Sequence, residues 1–321
     1  MVLRCGIWTG GCRCKALTLK AWQDTFALRH YIERLGSGRR TVANRLVTFT
    51  TDFGVSDHFV GAMKGVIMKL NPDARIVDIS NNVHSFDILD GALTIAQAYN
   101  YYPPDTVHVV VVDPGVGSNR RPLLVVTEKH IFLAPDNGVL SLVYEREERL
   151  SVRHVTAEHY FLQPVSNTFH GRDVFAPCAG WLSKGVQVEK FGDEVTDFAR
   201  FAAPKPKLVN PQLLKGVVLK ADKFGNLITN FTAKDLPEMF SATPPPFKIV
   251  VGNKEITTMR TAYSQGMHNE VFAIVGSMGF LELATNRGAA SRLLGADRGT
   301  EVGFVVSGGA AAPAAPAAPA Q

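Results

Sequence analysis

The first half of the chain alternates short apolar runs with segments of helical periodicity. The predicted strands and helices alternate along residues 46–51, 56–70, 75–79, 87–101 and 106–112. Strands contain apolar and β-branched runs, whereas the intervening segments repeat apolar positions with a helical period. This order predicts an N-terminal α/β domain with a mainly parallel sheet, spanning residues 46–203.

The pattern changes after residue 200. Residues 203–207 (Ala-Pro-Lys-Pro-Lys) are typical of a linker, and short β-rich runs follow at residues 214–221, 247–251 and 271–275. The dipeptide Gly252-Asn253 separates two such runs and predicts a tight hairpin. A smaller, mainly antiparallel C-terminal domain over residues 208–307 is therefore expected.

Both ends of the chain differ in composition from these domains. Residues 1–45 have nine Lys or Arg and two acidic residues, and residues 308–321 are rich in Ala and Pro. We expect a disordered basic leader and a disordered tail. Without the leader, the net charge of +5 becomes about −2, from 25 basic and 27 acidic residues. This balance argues against a basic face for nucleic acid.

Cysteine usage and hydropathy indicate a cytosolic protein. Cys5, Cys12 and Cys14 lie in the leader and Cys178 alone lies in the body of the chain, so no disulfide framework is expected. The sequence has no apolar run of the ~18 residues that a membrane span needs, and no secretory signal pattern. A cytoplasmic protein without membrane or nucleic-acid partners is predicted.

Polar residues follow the predicted strands at positions where parallel sheets bind ligands. Asp52 follows the first strand and Asp113 the third, at the carboxyl ends of both. Asp113 begins an Asp-Pro-Gly-Val-Gly turn that leads to Arg120. His170 precedes a helix predicted to start near Asp173, which we interpret as its cap. Each feature alone is more typical of a structural turn or ion pair than of a binding or catalytic site.

Six short motifs occur in a fixed order along the chain, and their combination is more specific than any one of them. They are Thr-Thr-Asp-Phe-Gly (50–54), Val-Gly-x-Met-Lys-Gly (60–65), Asp-Pro-Gly-Val-Gly with Arg120 (113–120), Pro-Asp-Asn-Gly (135–138), Phe-His-Gly-Arg-Asp (169–173) and Phe-Gly-Asn (224–226). Together they resemble the SAM hydroxide adenosyltransferase family, which is related to the SAM-dependent fluorinase and chlorinase. The resemblance covers about residues 46–306.

The resemblance implies an architecture and a reaction. A subunit with an α/β N-terminal domain and a β-barrel-like C-terminal domain would form a homotrimer with S-adenosylmethionine (SAM) bound between subunits. The enzyme would hydrolyse SAM to adenosine and methionine without a metal or other cofactor. Asp113, Arg120 and His170 match the residues that handle the attacking water.

The resemblance also implies substrate-binding residues. Asp52 matches the carboxylate that holds the ribose hydroxyls, and Phe86 an aromatic residue that packs on the ribose. Asp222 matches the acid that pairs with the methionine amine, and Ser277 the group at the methionine carboxylate. The matching residues at adenine are Phe224 for stacking and Asn226 for hydrogen bonding.

These residue types suit displacement at a sulfonium. The leaving group is a neutral thioether that needs no general acid, whereas water needs orientation and a proton acceptor. An arginine beside a carboxylate keeps the carboxylate ionised and fixes its direction. Either Asp113 or His170 can be the base, and we favour Asp113 with His170 orienting the water.

Three alternatives remain at this point. A halogenase of the same family is disfavoured because halogenases lack the Asp, Arg and His set. A metal-dependent hydrolase would use an oxygen-rich ligand set, comprising Asp52, Asp113, Asn137, His170 and Asp173. A SAM or adenosine sensor would need only the binding residues.

Overall fold

The computed structural model describes residues 45–241 and 243–306. The expected basic leader, with its three cysteines, lies outside the described residues except for Arg45. The expected Ala/Pro tail also lies outside them.

The first sheet has six strands and supports the N-terminal half of the protein. They are β1 (Val47–Thr51), β2 (Ile76–Ser80), β3 (Val107–Val111), β4 (Pro122–Thr127), β5 (Ile131–Pro135) and β6 (Leu150–His154). Their order is β2-β1-β3-β5-β4-β6, and only β4 runs antiparallel to its neighbours. The prediction of a mainly parallel sheet is confirmed.

Helices cover both faces of this sheet. The α-helices of the described residues are α1 (Phe59–Leu70), α2 (Ile88–Ala98), α3 (Ser141–Tyr144), α4 (Ala176–Ser183) and α5 (Ala290–Leu294). The last of these, α5, packs in the C-terminal half of the protein and not on this sheet. Alternate residues of β3 enter different cores: Val109 packs in the core that contains α1 and α4, and Val110 in the core that contains α2. Because both faces of the sheet are covered, every residue of β1, β3 and β5 is buried, including the polar residues of β1 and β3. Cys178 of α4 is fully buried in the first of these cores.

The second sheet is curled and mainly antiparallel. Its strands are β7 (Lys207–Asn210), β8 (Leu213–Ala221), β9 (Leu227–Thr232), β10 (Phe247–Val251), β11 (Lys254–Ile256), β12 (Met259–Arg260), β13 (Val271–Val275), β14 (Phe280–Thr285) and β15 (Glu301–Val306). Their order is β11-β10-β15-β8-β9-β14-β13-β12, and β7 also pairs with β8. The expected class, a parallel-rich α/β part followed by an antiparallel barrel-like part, is confirmed.

The predicted hairpin is also confirmed. Val251 of β10 pairs with Lys254 of β11 across the two-residue turn Gly252-Asn253. Gly252 has φ of +56°, which a two-residue hairpin of this kind requires.

The parallel strands place three acidic residues at one edge of the first sheet. Asp52 follows β1, Asp113 lies just beyond β3, and Asp136 follows β5. These three strands are neighbours in the sheet, so their carboxyl ends define one surface. Within the described residues, helices long and apolar enough to span a bilayer are absent.

Candidate active site

Arg120 brings Asp113 and His170 together. Its Nε donates to Asp113 Oδ1 at 3.0 Å, and its Nη2 contacts Asp113 Oδ2 in a bidentate pair. The same Nη2 lies 2.8 Å from His170 Nδ1. The Arg120 and Asp113 side chains are only 8% and 4% exposed. Asp113 and Arg120 from one turn and His170, fifty residues away, thus form one connected group in which the Arg120–Asp113 pair is largely desolvated.

A tight turn delivers Arg120 back to Asp113. Ser118 N donates to Gly115 O at 3.1 Å, and the Ser118 hydroxyl donates to the same carbonyl at 2.7 Å. Gly117 has φ of +79°, and a Cβ built there would lie 2.2 Å from Asn167 O. The second glycine of the motif is therefore required both by its conformation and by the segment that leads to His170.

The His170 segment differs from the sequence prediction. Residues Gly171–Phe175 form a π-helical turn that continues into α4, so Asp173 does not cap a helix. Asp173 is instead fully buried, pairs with Arg172 at 2.6 Å and accepts the Ser166 N–H at 2.8 Å. The prediction of a cap was wrong because the residue before α4 is already in helical conformation and leaves no N-cap position for an acid.

The hydrogen bond to Arg120 determines the tautomer of His170. Burial, and then the Arg120 charge, lower the pKa of His170, while Asp113 and Asp173 oppose the shift. Because a guanidinium only donates, Nδ1 of a neutral His170 must accept from Arg120. The proton of the neutral ring is then on Nε2, which makes Nε2–H a donor.

Asp52 and Phe86 form a second contact at this edge of the sheet. The Phe86 N–H donates to Asp52 Oδ2 at 2.8 Å, while the Phe86 ring is 73% exposed. Phe86 has φ of +65°, which is unusual for an aromatic residue and typical of functional loops. Burial raises the pKa of Asp52, the Phe86 N–H opposes this, and nearby Asp113 adds to the rise.

Asp222, Phe224 and Asn226 lie together in the loop between β8 and β9. Asp222 Oδ1 accepts the N–H groups of Phe224 and Asn226 at 2.8 Å, and Asp222 Oδ2 accepts from Asn226 Nδ2 at 2.9 Å. Asn226 is buried, whereas the Phe224 ring is 75% exposed. The carboxylate thus fixes its own loop and presents an aromatic face to the surroundings.

Ser277 occupies the turn between β13 and β14, beside two residues that sequence reasoning missed. Glu282 is 4% exposed and accepts from the Tyr263 hydroxyl at 3.2 Å. Burial raises the pKa of Glu282, the Tyr263 hydrogen bond opposes the rise, and the charge of Asp222 adds to it. The Glu282 side chain also packs on Gly276, next to Ser277. The available signal was a glutamate within the apolar strand β14.

Residues of the oxygen-rich metal alternative have other partners. Asn137 donates to Val112 O at 2.8 Å and accepts the Val139 N–H at 3.1 Å. Both carboxylate oxygens of Asp173 are bonded to Arg172. Among residues 45–241 and 243–306, no group of three or more His, Cys, Asp or Glu has a geometry that could hold a metal ion.

Comparisons with protein families match both halves of the chain. Residues 47–192 match the SAM hydroxide adenosyltransferase N-terminal domain, and residues 216–303 match the SAM hydroxide adenosyltransferase C-terminal domain. These ranges contain all the candidate site residues.

Individual relatives agree with the family comparison. An (R)-S-adenosyl-L-methionine hydrolase from Methanocaldococcus jannaschii is 31% identical, over 81% of this chain and 95% of that protein. A fluorinase from Actinoplanes sp. is 24% identical, over 76% of this chain and 91% of that protein. A solved structure of an uncharacterized conserved protein from Thermotoga maritima has a TM-score of 0.75 and 34% identity, covering 81% of this chain and 100% of that one.

Proposed function

The chain belongs to the SAM hydroxide adenosyltransferase family, and on that premise we propose that it hydrolyses SAM to adenosine and L-methionine. The observation that supports this most directly is the hydrogen-bonded group of a buried Asp113–Arg120 pair and a half-buried His170. The hydrolase relatives align with more than three-quarters of the chain.

We propose that water attacks the ribose 5′ carbon in line with the carbon–sulfur bond. The bond to sulfur breaks with its electron pair, and the sulfonium becomes the neutral thioether of methionine. The new carbon–oxygen bond becomes the 5′ hydroxyl of adenosine after loss of one proton. Because the leaving group needs no protonation, the residues act on the nucleophile.

Asp113 is the proposed proton acceptor. Nδ1 of His170 accepts from Arg120, so its Nε2–H donates to the water oxygen and orients it. Arg120 fixes the direction of the Asp113 carboxylate, and the remaining lone pairs of Asp113 can accept a proton from water. Arg120 Nη1 is buried without a hydrogen-bond partner among the described residues, and is a further donor for the water.

We assign substrate binding to the other candidate residues. Asp52 would hold the ribose hydroxyls beside Phe86, while Phe224 stacks on adenine and Asn226 bonds its edge. Asp222 would pair with the methionine amine, and Ser277 with its carboxylate. Acids at both ends suit a substrate with a net positive charge, and the aromatic rings exclude water.

We further propose a homotrimer with each site between neighbouring subunits. Phe86 and Phe224 are large aromatic residues whose side chains are about three-quarters exposed in the single chain, as expected for surfaces that a partner covers. The N-terminal domain would span residues 46–203 and the C-terminal domain residues 208–307. We also propose a cytoplasmic location and a reaction that needs no cofactor.

Product analysis tests this function. Purified protein incubated with SAM should release adenosine and methionine in equal amounts, with undiminished activity in the presence of a chelator. Release of methylthioadenosine, or activity that needs a divalent ion, would contradict the proposal. Halide at high concentration should yield no 5′-halogenated product, because the buried Asp113 carboxylate repels an anion.

A further inference from the structure

Asp90 is a buried carboxylate in the first turn of α2 that the proposed reaction does not use. Its side chain is 3% exposed, and its Oδ2 accepts both the His84 N–H and a contact from His84 Nδ1 at 2.9 Å. Its Oδ1 forms an ion pair with Lys220 Nζ at 2.5 Å and has no hydrogen-bond partner within the described part of the chain. Such a carboxylate is costly to bury unless every partner is retained.

The loop that Asp90 fixes is the one that contacts Asp52. Asp87 N donates to His84 O at 3.0 Å, and Asp90 N donates to Asp87 Oδ1 at 2.9 Å, which closes the loop at both ends. Between these anchors Phe86 adopts its positive φ and donates its N–H to Asp52. The position of the Asp52 carboxylate therefore depends on a loop whose anchor is Asp90.

Lys220 connects this loop to the second sheet. It lies on β8, two residues before Asp222, and a second ion pair joins Asp87 to Arg298. The loop and strand face each other across a cavity of about 730 Å³, whose lining includes Phe86, Asp87 and Lys220. The two sheets are thus linked by charge at the point where the Phe86 loop meets β8.

We propose that Asp90 and Lys220 are positioning residues that hold the His84–Asp87 loop, and through it Asp52 and Phe86, in the conformation that binds the ribose. This inference rests on the proposed function, because it assigns the ribose to Asp52. Neither residue touches the reacting atoms. Removing the Lys220 ammonium leaves Asp90 Oδ1 buried without a partner, so the loop must rearrange to solvate it.

The test compares Lys220→Met with Lys220→Arg and with a matched control on the same strand. The control is Lys215→Met, which removes the exposed ion pair of Lys215 with Glu301 at 2.8 Å. We expect Lys220→Met to raise KM for SAM by about tenfold or more, while kcat changes by less than about threefold. Lys220→Arg should restore most of the wild-type KM, and Lys215→Met should leave KM unchanged.

Stability and binding measurements separate positioning from folding. Each variant is assayed well below its thermal unfolding midpoint, and adenosine binding is measured by calorimetry, which needs no turnover. Weakened adenosine binding in Lys220→Met supports the proposal, whereas a wild-type KM and wild-type adenosine affinity overturn it. If Lys220→Met does not fold, Asp90→Asn replaces it, and the same changes in KM and adenosine affinity support or overturn the proposal.

The outcomes also separate this inference from the proposed function. A wild-type protein that releases no adenosine from SAM defeats the proposed function itself. A wild-type protein that does so, alongside a Lys220→Met variant with unchanged KM and adenosine affinity, defeats only the positioning role.

Discussion

Arg120 organises the proposed catalytic group because one guanidinium contacts both other members. Its bidentate pair fixes the plane of the Asp113 carboxylate, and its Nη2 determines which nitrogen of His170 has the proton. The burial of the pair strengthens both contacts, since little water competes for them. The proposed roles, Asp113 as the proton acceptor and His170 as the residue that orients the water, both follow from the contacts of Arg120.

Asp113→Asn should abolish most turnover while leaving SAM binding largely intact. The amide keeps the size of the carboxylate but accepts a proton poorly, so the rate of adenosine release should fall by about 10²–10⁴-fold. Stopped-time product assays measure the rate, and calorimetry measures SAM affinity.

Asp136→Asn is the matched control for this substitution. Asp136 is a largely buried acid that pairs with Arg121, the neighbour of Arg120, at 2.7 Å. We expect this variant to lose stability but to retain turnover within about threefold. An Asp113→Asn protein as active as wild type would rule out Asp113 as the proton acceptor.

The pH dependence should report the state of His170. Protonation of His170 converts Nδ1 from an acceptor into a donor. Because Arg120 also only donates, the protonated ring loses its hydrogen bond with Arg120. Because burial and Arg120 lower the pKa of His170, kcat should be constant near neutral pH and fall on acidification with an inflection below 6.5. His170→Gln should be slower and lack this inflection. An unchanged acid limb in that variant would assign the inflection to another group.

Sequence reasoning named candidate site residues, but residue spacing alone did not predict which of them contact one another. Asp52 and Asp113 follow from the rule for strand ends, because β1 and β3 are adjacent parallel strands. Nothing in the spacing places His170 against Arg120, fifty residues away, and that expectation came from the family resemblance. Glu282 and Tyr263 were missed because their contact depends on the curl of the second sheet.

At the scale of elements, the turn after β3 determines whether Arg120 reaches His170. Gly117 is the point where this turn contacts the Ser166–Thr168 segment, through Asn167 O. Any side chain at Gly117 must displace a backbone carbonyl that lies three residues before His170. A change in the turn at Gly117 is therefore expected to move the segment that leads to His170.

Gly117→Ala should impair both stability and turnover. Its positive φ and the clash with Asn167 O predict a stability loss of about 1–3 kcal/mol and a fall in kcat of about 10²-fold from misplacement of the group. Chemical denaturation and product assays measure the two effects.

Gly115→Ala, in the same turn, is the control for Gly117→Ala. A Cβ at Gly115 meets only ordinary contacts, the nearest being Ser118 Oγ at 3.4 Å. Its kcat should stay close to wild type. Equal effects of the two substitutions would show that the close approach at Gly117 has no special role.

Hydrophobic periodicity predicted the helices and strands whose apolar positions repeat most regularly. The helices α1 and α2 and the strands β1, β3 and β10 lie where their apolar periods place them. The antiparallel strand β4 was not predicted. Its apolar run resembles those of the parallel strands, and the flanking residues contain no turn signal that indicates a reversal of chain direction. The π-helical turn before α4 likewise has no sequence signature, which is why Asp173 was misread.

At the scale of the whole molecule, the exposed aromatic rings determine the proposed assembly. Phe86 lies in the loop after β2 and Phe224 in the loop between β8 and β9, and both residues are largely exposed in the single chain. Burying such rings against a partner removes apolar surface from water and dries the substrate pocket. A site shared between subunits follows from this arrangement if the proposed trimer forms.

Mixing two inactive variants tests the shared site. Asp113→Ala disables the water-handling group and Asn226→Ala the adenine contact, so each homogeneous protein should be inactive or nearly so. In randomly mixed cyclic trimers about one-quarter of the sites combine two intact halves, and activity should return to about that level. Mixtures with no more activity than the separate variants would place each site within one chain.

The most direct test of the proposed mechanism is the fate of the solvent oxygen. The wild-type protein is incubated with SAM in ¹⁸O-labelled water, and both products are analysed by mass spectrometry. Attack by the water held between Asp113, Arg120 and His170 predicts one ¹⁸O atom in the 5′ hydroxyl of adenosine and none gained by methionine. Adenosine released without the label, or label found in homoserine alongside methylthioadenosine, would contradict attack of that water at the ribose 5′ carbon.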